Sequence, residues 1–320
     1  MKKKPFLITI DTEGDNLWNY KLGDRIETNN SLFLPRFQLL CNKHSFKPTY
    51  LVNYEMAASD NFVEFAKKEM SSHNCEIGMH LHAWNCLPTI NLTKRNDGVE
   101  PGLPYITEYD EDSIEKKVEF MTNFIFERFG VKPISHRAGR WASNNIYAKI
   151  LEKYGYKIDC TFTPRLSWEG NPGYTNNFFG NNYSKITNDI SFFYDSKIIE
   201  IPFQSYLNKR IKRENIHSLK SFIKNVLISF KRKEHIVLRP NGKNLNDLLY
   251  IVKKNRKSRQ KYLMFMLHSS EFMPGGSPTF DNETKIEKLY EDLNILFEEI
   301  SKYYFGMTVG EFGESISKHD

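Results

Sequence analysis

Five apolar runs in this 320-residue chain stop at a side chain that can carry charge or bind a metal. The run from Phe6 to Ile10 ends at Asp11, and that from Glu76 to Met79 ends at His80. Pro133 to Ser135 ends at His136 and Arg137, Tyr156 to Ile158 at Asp159, and Tyr262 to Leu267 at His268. The first run continues through Glu13 and Asp15, with Gly14 between them to supply a turn. A buried carboxylate is costly unless it is paired or binds a metal, so acids at the end of an apolar run ask for partners. His80 and His82 stand two residues apart; on a straight strand their rings face opposite ways, but at a strand-to-loop bend both reach one ion. Two imidazoles, one carboxylate and an open position for water make a common catalytic zinc site. A structural zinc site that recruits Cys75 and Cys86, and a plain pair of core histidines, are the other readings of these residues.

The elements that must position these side chains alternate. Short Ile/Val/Thr-rich runs over 6–10, 47–54, 75–80, 133–137, 156–159, 198–201, 236–238, 262–268 and 307–309 read as strands. Between them lie amphipathic helices. One runs from Leu34 to His44 with Pro35 in its first turn. Others cover about 60–71, 244–254 and 281–303. Ile114, Val118, Met121, Ile125 and Phe129 share one face of a helix that Gly130 ends. A further helix is capped by Ser143, carries Ile146, Ile150, Leu151 and Tyr154 on one face, and stops at Gly155. Alternation of this kind predicts an α/β fold with a mostly parallel sheet, closed or nearly closed into a barrel. All parallel strand ends then open onto one face, so residues scattered over most of the chain converge there. The expectation is one catalytic domain over 1–320, with insertions at about 165–195 and 207–235.

A hydrophobic content of 40% with 14% aromatics supports a packed core, and a net charge of +6 does not by itself imply nucleic acid. No apolar stretch approaches the roughly 18 residues of a membrane span. The basic start resembles a secretion signal, but its apolar run is short and meets acids at once, so no leader is expected. Cys41, Cys75, Cys86 and Cys160 form no CxxC pair and predict reduced thiols in a cytosol.

At these residues the chain resembles the polysaccharide deacetylase family (NodB-homology, carbohydrate esterase family four), whose fold is a distorted (β/α)7 barrel. Thr9-Ile10-Asp11-Thr12-Glu13 resembles a first motif in which a base aspartate precedes a metal-binding acid by two residues. The strand Glu76 to His80 matches the metal-histidine strand, and His136-Arg137-Ala138-Gly139-Arg140-Trp141 sits where the family has its arginine motif. Gly155 to Asp159 resembles the fourth motif, and Met266-Leu267-His268 the general-acid motif with Met for Leu. In two places the chain departs from the pattern. The usual second metal histidine is replaced by Trp84, so His82 substitutes, and the Pro-Tyr after the motif arginine is absent. The matches are most similar to a subgroup from surface-polysaccharide gene clusters.

The resemblance implies metal-assisted hydrolysis of an acetamido group on a sugar of a surface polysaccharide or its precursor. One divalent ion, expected to be zinc, would be held by Glu13, His80 and His82. Asp11 would be the base and His268 the acid, with Arg137 holding Asp11 and Asp159 orienting His268 or Arg137. Asp15, Arg140, Trp84 and Trp141 are the candidate substrate contacts. All four tryptophans, Trp18, Trp84, Trp141 and Trp168, follow proposed strand ends, where rings can stack on sugars or pack under loops. Two alternatives stay open: hydrolysis of a non-glycan linear or cyclic amide, and a carbohydrate-binding pseudoenzyme. Between Lys209 and Lys233 nine cations face only Glu214, interleaved with Leu219, Phe222, Ile223, Val226, Leu227 and Phe230 at helical spacing. That segment predicts an amphipathic helix, packed on the barrel or docked on the inner membrane face beside a lipid-linked glycan. No nucleic-acid partner is expected.

Overall fold

The computed structural model describes residues 3–15, 17–20, 24–88, 102–175, 178–208 and 234–317. The basic amphipathic segment expected over 209–233 lies outside them. Strand β1 (Lys4–Thr12) leads through α1 (Leu34–Lys43) to β2 (Pro48–Val52). Helices α2 (Tyr54–Ala58) and α3 (Asp60–Ser71) precede β3 (Glu76–Leu81), α4 (Glu111–Phe129) precedes β4 (Ser135–Ala138), and α5 (Asn145–Lys153) precedes β5 (Ile158–Asp159). Strands β6 (Ser191–Phe192), β7 (Ile199–Glu200), β8 (Ser205–Leu207) and β9 (His235–Val237) follow. The chain continues through α6 (Leu245–Arg256), β10 (Leu263–His268), α7 (Glu283–Ser301), β11 (Tyr304–Met307) and α8 (Val309–Ser317).

The main sheet runs β10-β1-β2-β3-β4-β5-β7-β6, with β11 also paired to β1, and only β6 is antiparallel to its neighbour. Its seven consecutive parallel strands, β10 to β7, are those of a distorted (β/α)7 barrel. Every residue of β1 from Phe6 to Thr12 is buried, as expected for a central parallel strand covered on both faces. Helix α4 buries the predicted stripe of Ile114, Val118, Met121, Ile125 and Phe129. Gly130 ends it at φ 76°, a left-handed conformation that favours glycine.

The structure corrects three expected elements. Helix α5 is capped by Asn144, whose side chain accepts from the Tyr147 amide at 2.8 Å; Ser143 instead bonds the hydroxyls of Tyr183 and Tyr194. The strand expected at 236–238 pairs antiparallel with β8, outside the main sheet, and Leu238 reaches β10 only through one bond from the Met266 amide. The chain also does not close on a strand at 307–309. Strand β11 ends at Met307, and Thr308 and Glu311 form reciprocal caps of 3.0 and 3.1 Å that start α8. Within the insertion expected at 165–195, the described residues are mostly irregular, with bridges Ser167–Asn182 and Pro172–Phe179. No helix among the described residues is long and apolar enough to cross a membrane.

Candidate active site

Strand register brings the predicted side chains together. Asp11 pairs with His268 across β1 and β10, His80 with Arg137 across β3 and β4, and His136 with Asp159 across β4 and β5. At the strand ends lies a cleft of about 310 Å³ whose floor is Asp11, Glu13, His80, His82 and His268. Trp18, Trp84, Arg140 and Trp141 stand around it.

His80 is the penultimate residue of β3 and His82 the first residue beyond it, so the strand has already bent when the second ring arrives. The two Nε2 atoms face one another at 2.9 Å, and Glu13 Oε2 lies 3.1 Å from His82 Nε2 and 3.6 Å from His80 Nε2. Close approach of β4 permits this: a Cβ on Gly139 would stand 2.5 Å from His82 Cδ2 and 2.7 Å from the Leu81 carbonyl. In its neutral form, His80 Nδ1 donates to the Arg137 carbonyl at 2.9 Å and leaves the Nε2 lone pair pointing into the cluster. His82 Nδ1 is buried without a partner among the described residues, and the ring is held by Trp84 stacked on it at 4.3 Å. Two facing imidazole nitrogens have room for one proton between them. Burial and the neighbouring His80 push His82 down, while Asp11 and Glu13 outweigh burial and raise His80. One carboxylate oxygen and two imidazole nitrogens within 4.8 Å of one another fit the donor set of a zinc-like divalent ion. This is the one such group among the described residues. Cys75 and Cys86, the alternative ligands, are buried elsewhere beside carbonyls of Ala66, Leu87 and Lys117.

Asp11 lies beside this cluster, with Oδ2 3.8 Å from His80 Nε2. Its Oδ1 accepts from Arg137 Nη1 at 2.6 Å, and Arg137 also donates to the Cys160 carbonyl at 2.9 Å. Burial pushes the Asp11 carboxyl up, but Arg137, His80 and His268 outweigh it and hold the group below its ordinary value. Glu13 is held well below its ordinary value, because His268, His80 and His82 together overcome burial. On the neighbouring strand, His268 Nε2 stands 3.9 Å from both Asp11 Oδ2 and Glu13 Oε1. Trp18 meets its ring edge-on at 5.0 Å.

The structure moves two expected residues out of the site. Asp159 orients neither His268 nor Arg137; it bonds His136 Nδ1, whose Nε2 meets the Tyr147 hydroxyl at 2.8 Å. The register places Asp159 beside His136, one residue short of Arg137. Asp15 does not face the cleft either, because its carboxylate accepts from the backbone and side-chain amides of Asn29 and Asn30. What lies behind His268 is Glu271, buried, with Oε2 3.1 Å from His268 Nδ1 and 2.9 Å from the His268 amide. Arg239 Nη2 reaches the same Oε2 at 3.0 Å and His268 Nδ1 at 2.9 Å. Arg239 and His268 hold the Glu271 carboxyl below its ordinary value against burial. Sequence reasoning misses both residues; the i, i+3 spacing of His268 and Glu271 is the signal that points to one of them. Trp168 also lies behind the cleft, stacked on Trp141 at 5.9 Å.

Glu200 adjoins Asp159. Burial and then the Asp159 charge push it well above its ordinary value, which favours the protonated carboxyl. An unfolded glutamate releases its proton near pH 4.3, so stability from this group is full below that value and falls as pH rises toward the folded pKa. Glu200→Gln keeps a donor and removes the titration, and is therefore expected to raise the unfolding midpoint at pH 7 relative to pH 4. Equal shifts at both values in thermal melts would show that Glu200 is ionised in the folded protein.

Neither a family profile nor a curated protein matches the chain. Solved structures do. One assigned as a polysaccharide deacetylase from Mycobacterium smegmatis superposes with a TM-score of 0.53 at 14% identity, over 99% of this chain and 92% of that one. A GH57 branching enzyme from Thermococcus kodakaraensis matches with a TM-score of 0.54 at 10% identity, over 97% and 71%. A 4-alpha-glucanotransferase from Thermococcus litoralis gives 0.53 at 11%, over 99% of this chain but 41% of that one. The chain shares its distorted (β/α)7-barrel fold with these structures.

Proposed function

We propose that this chain is a metal-dependent N-deacetylase of the polysaccharide deacetylase family, acting on an acetylated sugar of a surface polysaccharide or its precursor. The observation that carries the reading is the convergence of Glu13, His80 and His82 between an Asp11–Arg137 pair and a His268–Glu271 pair. Glu13, His80 and His82 would hold a divalent ion, zinc by their donor set, which when bound would supply Lewis acidity to polarise the acetyl carbonyl and acidify water. Asp11, kept ionised and oriented by Arg137, accepts the proton of the water that attacks the acetyl carbon. Glu271, 3.1 Å from His268 Nδ1, orients the ring so that an Nε2–H can face the cleft. As the C–N bond breaks, that proton passes to the departing amine, leaving acetate and a free amino sugar. Trp84 and Trp141, which line the cleft, are the candidate sugar contacts at its mouth.

Two experiments bear on these roles. Acetate release from N-acetylated sugars and oligosaccharides tests the activity itself. Ammonia or another acid released from simple linear or cyclic amides instead would favour the non-glycan reading, and no turnover with metal bound would favour a pseudoenzyme. Glu271→Gln is expected to lower kcat by roughly 10–10²-fold with little change in KM, the size usual for a group that orients a ligand or catalytic imidazole. Glu271→Asp should recover part of that loss; unchanged kcat in both variants would remove Glu271 from the account.

A further inference from the structure

Arg140 is the only lysine or arginine lining the cleft among the described residues. The neighbouring cations are already neutralised, Arg137 by Asp11 and Arg239 by Glu271. No acidic side chain among the described residues pairs with Arg140. The guanidinium is nevertheless held in place. It lies over the ring of Trp84 at 5.7 Å and over that of Tyr105 at 5.5 Å. Both rings are themselves fixed: Trp84 stacks on His82 at 4.3 Å, and the Tyr105 hydroxyl donates to the Asn171 carbonyl at 2.9 Å. The backbone is strained to put the side chain there. Arg140 and Trp141 are consecutive non-glycine residues at φ 54° and 58°, a left-handed conformation that residues with a Cβ rarely adopt. Strain of this kind persists where the surroundings enforce it and clusters at ligand clamps. One N–H of Arg140 is engaged by the Tyr105 hydroxyl, and the other in-plane donors of a guanidinium lying over aromatic rings stay available for a two-pronged acceptor. The cleft floor offers carboxylates, so a negatively charged ligand would be repelled there unless a cation at the mouth received it.

We infer that Arg140 binds an oxyanion on the substrate, phosphate or carboxylate, so that the sugar processed is an anionic acetamido sugar rather than a neutral one. The location of the sugar rests on the N-deacetylase reading above; the anion preference can be measured without turnover. Calorimetric titration of the purified full chain with N-acetylglucosamine, N-acetylglucosamine 1-phosphate, UDP-N-acetylglucosamine and N-acetylmuramic acid provides the test. The wild type is expected to bind at least one of the three anionic ligands roughly 10–100-fold more tightly than the neutral sugar, the size of a hydrogen bond to a charged group. The phosphate-bearing ligands and the carboxylate-bearing one separate the two sources of the anion. In Arg140→Ala the preference should vanish, and it should shrink in the wild type as salt is raised. Arg140→Gln keeps a planar polar group without the charge and guards against loss of fold; it too should show no preference. Equal binding of charged and neutral sugars by the wild type, or a charge preference that survives both substitutions, overturns the inference. If acetate is never released but the preference is seen and lost with Arg140, the anion site stands and the deacetylase reading falls.

Discussion

Asp11→Asn lowers turnover by roughly 10²–10⁴-fold, the range for loss of a general base, while metal content stays at the wild-type level. The amide is nearly isosteric, so it still fills the space beside Arg137 and His80, but it cannot take the proton from water. Asp11 is not one of the three converging metal donors, which is why the two measurements should part company. Acetate release and elemental analysis on the same preparation check it. A variant that turns over normally removes Asp11 from the mechanism, and one that loses its metal makes Asp11 a ligand.

Arg137→Ala has the largest expected effect on stability, about 3–5 kcal/mol, because it leaves the Asp11 carboxylate buried without its cation. Arg137 is fully buried, and its guanidinium joins β1 to the carbonyl that follows β5. Denaturant unfolding of Arg137→Ala, of Asp11→Asn and of Asp11→Asn/Arg137→Ala gives the coupling. The double variant should lose less than the two single losses added together, since no unpaired charge remains. Strict additivity would mean that the pair contributes little and that Arg137 acts through packing.

The side chains that sit at the ends of apolar runs are legible in the amino-acid sequence. An acid or imidazole there is costly, and a parallel sheet sends every such end to one face. Hence Asp11, Glu13, His80, His82 and His268 all meet in the cleft, with Arg137 buried behind Asp11. What the chain order does not reveal is which neighbour each polar group finds across the strands. Asp159 stands at a strand end like the others, yet the register gives it to His136, and Glu271 takes the place beside His268. Asp15 falls on the same five-residue stretch as Asp11 and Glu13, but the returning loop brings Asn29 and Asn30 to it. Arg239 contacts residues 29 and 32 positions away through a fold that no local pattern encodes. At the carboxyl-terminal end two local signals compete. The Thr308–Glu311 spacing is that of a capping box and marks the start of α8, where the short apolar run after Met307 reads as a strand.

Metal reconstitution tests the central claim most directly. Chelator-treated wild type, Glu13→Ala and His82→Ala are titrated with zinc, and metal bound and acetate released from an N-acetylated sugar are followed together. The wild type is expected to take up stoichiometric zinc and regain acetate release. Either variant is expected to bind zinc more weakly and to recover no activity, because three protein ligands become two. Acetate release that is unaffected by the chelator, or full zinc and full activity in His82→Ala, would contradict it.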